Sequence, residues 1–198
     1  MIEHWNQRYD TEAFIYGREP NLFFKEFLDK QPVGKLLLPC EGEGRNAVYA
    51  ASLGWEVTAF DQSEVGMKKA LAFAREQGVT LHYGIADALA FDYPSGAYDV
   101  IAFLWAHFPQ DIRRKIHQKS LSGLKQGGFI LLEGFNKKQL SFASGGPKDP
   151  EMLFSLDYWP DDFPGLKAIL LEEAMTLLDE GDFHRGEAAV IKYLGRKT

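Results

Sequence analysis

Cys40 is the only cysteine among 198 residues. No internal disulfide can form, and a reducing, cytoplasmic compartment is the expectation. Paired-cysteine metal frames are excluded as well, and the five histidines (His4, His82, His107, His117, His184) include no i,i+4 pair, so no metal site is expected. Positive charge is scarce, 22 Lys and Arg against 28 Asp and Glu, a net −6. That balance argues against a nucleic-acid partner, because phosphate binding rests on clustered cations releasing counterions. The one dense basic run, Arg113-Arg114-Lys115, reads as the wet face of a helix. No stretch reaches the about 20 apolar residues of a membrane span, and Met1-Ile-Glu-His-Trp-Asn-Gln-Arg8 lacks the apolar core of a signal peptide, so no membrane partner is expected. The hydrophobic content of 45% suits one large core, and no break in composition marks a second domain. One domain over residues 1–198 follows, its oligomeric state left open.

Along the chain, apolar runs alternate with helical patterns. Two short amphipathic segments, 2–9 and 21–30, flank Tyr16-Gly-Arg-Glu-Pro20, whose Gly and Pro mark a turn. Lys35–Pro39 is nearly all apolar, as a strand covered on both faces should be. Helices are predicted over 45–53, 64–77 (capped by Ser63 and ended by Gly78) and 111–124, and strands over 55–60, 79–83, 98–104 and 129–134. This alternation implies an α/β, doubly wound, mostly parallel sheet. The C-terminal part breaks the rhythm: 166–178 and 188–194 are strand-like, and the polar link between them is too short for a crossover helix, so they should pair as an antiparallel hairpin. Residues 136–164, rich in Gly, Pro and Asp, read as a lid or a binding wall.

The chemistry concentrates in Lys35-Leu-Leu-Leu-Pro-Cys-Glu-Gly-Glu-Gly-Arg-Asn-Ala47 and in Asp61, which ends Trp55-Glu-Val-Thr-Ala-Phe-Asp61. Strand, glycine turn, helix start, second strand, carboxylate: Gly42 and Gly44 let the backbone turn sharply beside a ligand, the helix start offers free N–H donors, and an acid about 20 residues on can accept from ribose hydroxyls. An adenosine-type cofactor is the leading expectation. Gly42-x-Gly44-x-x-Ala47 fits the dinucleotide fingerprint equally. Trp5, Tyr9 and Tyr16 are either core cover or a flap whose π faces suit a cationic sulfur. His107, leaving a strand at the sheet's C-terminal edge, is the best-placed titratable group and the candidate base, while His184 sits in the hairpin loop as a structural residue.

Gly42-Glu-Gly-Arg-Asn46, Asp61-Gln-Ser63, Ala86-Asp87-Ala88 and the terminal hairpin together resemble the class I S-adenosylmethionine-dependent methyltransferases. The Trp5…Tyr9…Tyr16-Gly-Arg-Glu-Pro-Asn21 opening, Gly145-Gly-Pro147 and Glu180-Gly-Asp-Phe-His-Arg-Gly186 make the chain look like their tellurite-resistance and thiopurine-methyltransferase-like branch. The resemblance implies a seven-stranded Rossmann-like sheet, with residues 1–34 as a helical flap, 35–134 as the cofactor-binding core, 135–165 on the substrate side and 166–198 as the hairpin. It also implies S-adenosylmethionine as cofactor. The backbone around Glu41 to Gly44 would hold its amino-acid end, Asp61 the ribose, Gln62, Asp87 and Ala88 the adenine, and Leu104 to His107 would line the methyl pocket, with Trp5, Tyr16, Cys40 and Asn46 as further cofactor-binding residues. Two positions depart from the pattern: Leu38 stands where an acid is usual and Cys40 where the first glycine is. Glu41 is the candidate to replace the missing acid. The expected activity is methylation of a small molecule, with a thiol, selenium or tellurium nucleophile suggested. A nicotinamide-dependent oxidoreductase and a non-catalytic S-adenosylmethionine-binding protein remain the alternatives.

Overall fold

The computed structural model describes residues 2–198. The helices are α1 (Ile2–Tyr9), α2 (Leu22–Leu28), α3 (Arg45–Ser52), α4 (Glu64–Glu76), α5 (Gln110–Gly123) and α6 (Trp159–Asp162). The strands are β1 (Lys35–Pro39), β2 (Glu56–Asp61), β3 (His82–Ile85), β4 (Tyr98–Leu104), β5 (Leu124–Phe135), β6 (Leu166–Asp179) and β7 (Arg185–Lys197). They form one sheet in the order β3-β2-β1-β4-β5-β7-β6. The first five strands are parallel, and β7 runs antiparallel to both β5 and β6. The alternation of side chains along a strand builds two cores: Leu36 and Leu38 face α2, α3 and α4 on one side, and Leu37 faces α5 and α6 on the other. The sheet is therefore doubly wound with a C-terminal antiparallel hairpin, as the alternating patterns predict.

Two local expectations need correction, and a third, open between lid and wall, is narrowed. The third strand starts at His82 rather than at 79. Gly78, at φ +69°, ends α4 in the left-handed region and turns the Val79 amide back onto the Ala74 carbonyl, so pairing with β2 is delayed to Thr58 and His82. Arg113 is not on a wet helix face: it is fully buried, its Nε donating to Asp162 at 2.7 Å, with His117 Nδ1 2.9 Å from the same carboxylate oxygen. Residues 137–164 form no detached lid. Three single-turn 3-10 helices and α6 carry Phe154, Trp159, Phe163 and Asp162 into the α5-side core, so this segment is a fixed wall.

Candidate functional site

β1 and β4 are neighbours from which the chain winds outward in opposite directions, the topological switch point where open α/β sheets take ligands at the strands' carboxyl ends. The only non-glycine residues with positive φ among those described sit at these two ends, Cys40 at φ 57° after β1 and Trp105 at φ 58° after β4. A left-handed non-glycine residue costs about 1–2 kcal/mol, and strain of this kind concentrates at working sites. The departure from the usual first glycine thus leaves the backbone in the conformation that a glycine there would favour.

Gly42 (φ 60°) and Gly44 (φ 85°) carry the turn into α3, and both are buried. A Cβ on Gly42 would lie 2.5 Å from the Tyr9 hydroxyl, and one on Gly44 2.5 Å from the Ala70 Cβ. The Tyr83 hydroxyl donates to the Gly42 carbonyl at 2.7 Å. Tyr9, buried at the end of α1 and stacked on Trp5 at 5.5 Å, therefore lies directly over the turn. The aromatic opening does act as cover, with Tyr9 rather than Trp5 in contact with the glycine.

Asp61, buried at the end of β2, accepts from the Gly42 amide at 3.0 Å and from the Ser63 amide at 2.8 Å, one bond on each oxygen. Burial raises its carboxyl above the ordinary range while the Ser63, Gly42 and Gln62 amides oppose that shift. An ionised carboxylate offers about four lone-pair sites, so about two remain for a ligand. Among the described residues the Glu43 and Arg45 amides have no internal acceptor, which leaves two helix-start donors open. Beyond β2, Gln62 Nε2 donates to Asp87, whose other oxygen accepts from the Leu89 and Ala90 amides at 2.8 and 3.0 Å. Ala88 is buried, and Leu104 closes β4 beneath Trp105. The structure thus gathers Cys40, Gly42, Gly44, Asp61, Leu104 and, at the outer end, Gln62, Asp87 and Ala88 along the carboxyl edge of β1–β4.

Three expected roles are overturned by geometry. Glu41 turns inward: Oε1 accepts from the Asn46 and Ala47 amides, both at 2.8 Å, and Oε2 from Asn46 Nδ2 at 3.2 Å, so it caps α3 instead of facing a ligand. Burial pushes its carboxyl up to about 7 against those donors. The Asn46 side chain is engaged at both ends, its oxygen accepting from the Asn21 amide at 2.8 Å and its nitrogen donating to Glu41, and ties α2 to α3. His107 has no free ring nitrogen: Nδ1 lies 2.9 Å from the Met152 carbonyl and Nε2 accepts from the Phe135 amide at 3.2 Å. Desolvation lowers it to about 4, which makes it a neutral post, not a base.

Sequence reasoning underrated the hairpin tip. Arg45 Nη2 meets Glu180 at 2.8 Å, and His184 Nδ1 lies 3.3 Å from the same oxygen, all three buried or nearly so. The Arg45 guanidinium and His184 hold Glu180 down to about 2 against its desolvation, while burial lowers His184. The His184 ring packs at 4.5 Å from Tyr16, 4.9 Å from Trp105 and 5.2 Å from Phe135, so flap, β4, β5 and hairpin converge on one aromatic wall. Glu180-x-x-x-His184 was a visible spacing, but nothing local links it to Arg45.

Residues 38–128, just under half of the chain, match the family model of the methyltransferase domain. Comparison with curated proteins gave no match. Solved structures share the fold. One, determined in work on the conversion of a disulfide bond into a thioacetal group during echinomycin biosynthesis, superposes with TM-score 0.82 at 16% identity, over 100% of this chain and 91% of that one. TehB from Haemophilus influenzae gives 0.71 at 18%, over 100% of this chain and 67% of its own. A putative methyltransferase from Bacillus halodurans C-125 gives 0.67 at 15%, over 88% and 97%. The chain therefore has the fold of these solved structures, and its segment 38–128 is similar to the methyltransferase domain.

Proposed function

We propose that this chain transfers a methyl group from S-adenosylmethionine to a small molecule bearing a soft nucleophile, a thiol, selenium or tellurium centre. The observation that carries the reading is the joint between the Gly42 amide and the Asp61 carboxylate, 3.0 Å apart at the switch point beside a strained turn. The residues fit an S-adenosyl group. The open Glu43 and Arg45 amides suit its amino-acid carboxylate, the spare lone pairs of Asp61 its ribose hydroxyls, and Gln62 with Asp87 its adenine. The π faces of Trp5 and Tyr9 suit a cationic sulfur. When bound, the cofactor supplies an activated methyl group. What the chain contributes is alignment and a dry wall, and alignment alone accounts for about 7–11 kcal/mol of barrier lowering. A soft anionic acceptor needs no proton removed, which agrees with a His107 whose nitrogens are both engaged.

The oriented His184, Glu180 and Arg45 favour a second reading in which the acceptor carries a proton to be lost. A nicotinamide cofactor agrees less well with a sheet that ends in an antiparallel hairpin. Thermal denaturation separates these ligands: S-adenosylmethionine or S-adenosylhomocysteine at 100 times its dissociation constant adds about 2.7 kcal/mol, and NADH adds nothing. Stabilisation by NADH alone would end the methyl-transfer reading. Turnover against thiols, tellurite and purine thiols then tests the acceptor class, and silence across the panel with cofactor binding intact leaves a binding protein.

A further inference from the structure

The two edges of the sheet differ. β3, four residues long, ends one side, and so short an edge offers little for another strand to pair with. β6, fourteen residues long, ends the other, and among the described residues only β7 pairs with it. Natural edge strands are usually blunted by proline, lysine or a bulge. β6 has its bulge between Ala168 and Leu170, and from there to Leu178 it carries no proline, lysine or arginine. Along this regular stretch Met175 is 57% exposed and Leu177 77%, the latter more than any other large apolar side chain described. A long backbone edge and the apolar side chains beside it are therefore both left open.

The same stretch complements itself. Leu170-Leu-Glu-Glu-Ala-Met-Thr-Leu-Leu178 has a pair of leucines at each end and Ala174 at its centre. A second copy laid antiparallel, about a two-fold axis through Ala174 and normal to the sheet, keeps every residue on its own face. Leu170 then lies opposite Leu178, Leu171 opposite Leu177, Glu172 opposite Thr176 and Glu173 opposite Met175, so no like charges meet. Moving the axis one residue back sets Glu173 against itself, and two residues back sets Glu172 against itself, and directly opposed like charges destabilise a sheet. Moving it forward to Met175 sets both glutamates against leucines. Glu173 is already paired with Lys138 at 2.6 Å, which further favours the register centred on Ala174. We infer that β6 is an interface for a second copy of this chain: two copies pair residues 170–178 antiparallel about Ala174 and join their sheets into one. Main-chain hydrogen bonds supply the affinity, and the leucine pairs fix the register. The hairpin tip lies beyond the paired stretch, so Glu180 stays on Arg45 of its own copy.

Sedimentation equilibrium of the full chain over a range of concentrations reads the association. The wild type should dimerise reversibly, reaching twice the mass of the chain at the upper end. Thr176 probes the register, because it faces Glu172 of the other copy at two symmetric places. Thr176→Lys should tighten the dimer about fivefold and Thr176→Glu should weaken it about fivefold, since two cross-strand pairs change at once. Cross-linking gives a second readout. At the axis the two Cα atoms lie about 4.5–5.5 Å apart, within the span of a disulfide. Mild oxidation should therefore join two Ala174→Cys chains through that position, while Leu177→Cys, which faces Leu171 and not itself, should stay unlinked. A wild type that is monomeric at every concentration would overturn the inference. So would a dimer that ignores the sign of the charge placed at 176, or one whose Ala174→Cys chains fail to link.

Discussion

Two buried carboxylates at the turn do different work, and each gives a prediction. Asp61 binds the Gly42 and Ser63 amides, each a charged hydrogen bond of about 1.5–3 kcal/mol. Asp61→Ala should lower stability measurably in chemical denaturation and abolish nucleoside binding by calorimetry. Glu41 caps α3, and burial raises it to about 7 from 4.5. A carboxyl raised in the folded state contributes stability that is complete below about 4.5 and is lost as pH rises through 7. His107, lowered by burial to about 4, pulls the opposite way between 6.5 and 4, and burial lowers His117 and His184 as well, so total stability mixes the two directions. The difference between wild type and Glu41→Gln isolates the carboxyl: wild type should lose ground steadily from pH 4.5 to 7, and a flat difference would show that Glu41 stays ionised.

At the scale of elements, a buried ion pair ties α5 to α6. Arg113 and Asp162 are both fully buried, and removing one partner of such a pair costs about 3–5 kcal/mol, because the other charge is left stranded. Asp162→Ala should lower the unfolding free energy by that amount, read from chemical denaturation, and loosen residues 137–164, as proteolysis would report. The patterns that made β1, the glycine turn, α4 and the terminal hairpin legible are local: apolar runs, a Ser63 cap, left-handed glycines and a link too short for a helix. Arg113 was misread for the same reason. Arg114 and Lys115 beside it are solvent-facing, while its own partner lies 49 positions away, which no local pattern discloses.

For the whole molecule, one sheet places its strained turns where its winding reverses, and everything gathered there comes from separate stretches of chain. The sequence made Gly42, Gly44 and Asp61 visible because strand, turn and acid keep a fixed spacing. It hid the Tyr9 hydroxyl above Gly42 and the Arg45 bridge to Glu180, since those contacts exist only once α1 and the hairpin have folded onto the core. It also lent Glu41 and Asn46 a ligand role that capping and tying α3 have taken. The central claim, that the carboxyl edge of β1 and β2 holds an S-adenosyl group, is most directly tested by a crystal structure grown with S-adenosylhomocysteine. The account predicts density with the ribose hydroxyls within hydrogen-bond reach of Asp61 and the amino-acid end over the Gly42–Gly44 turn; density lodged elsewhere, or a protein saturated with the nucleoside that leaves this edge bare, would contradict it.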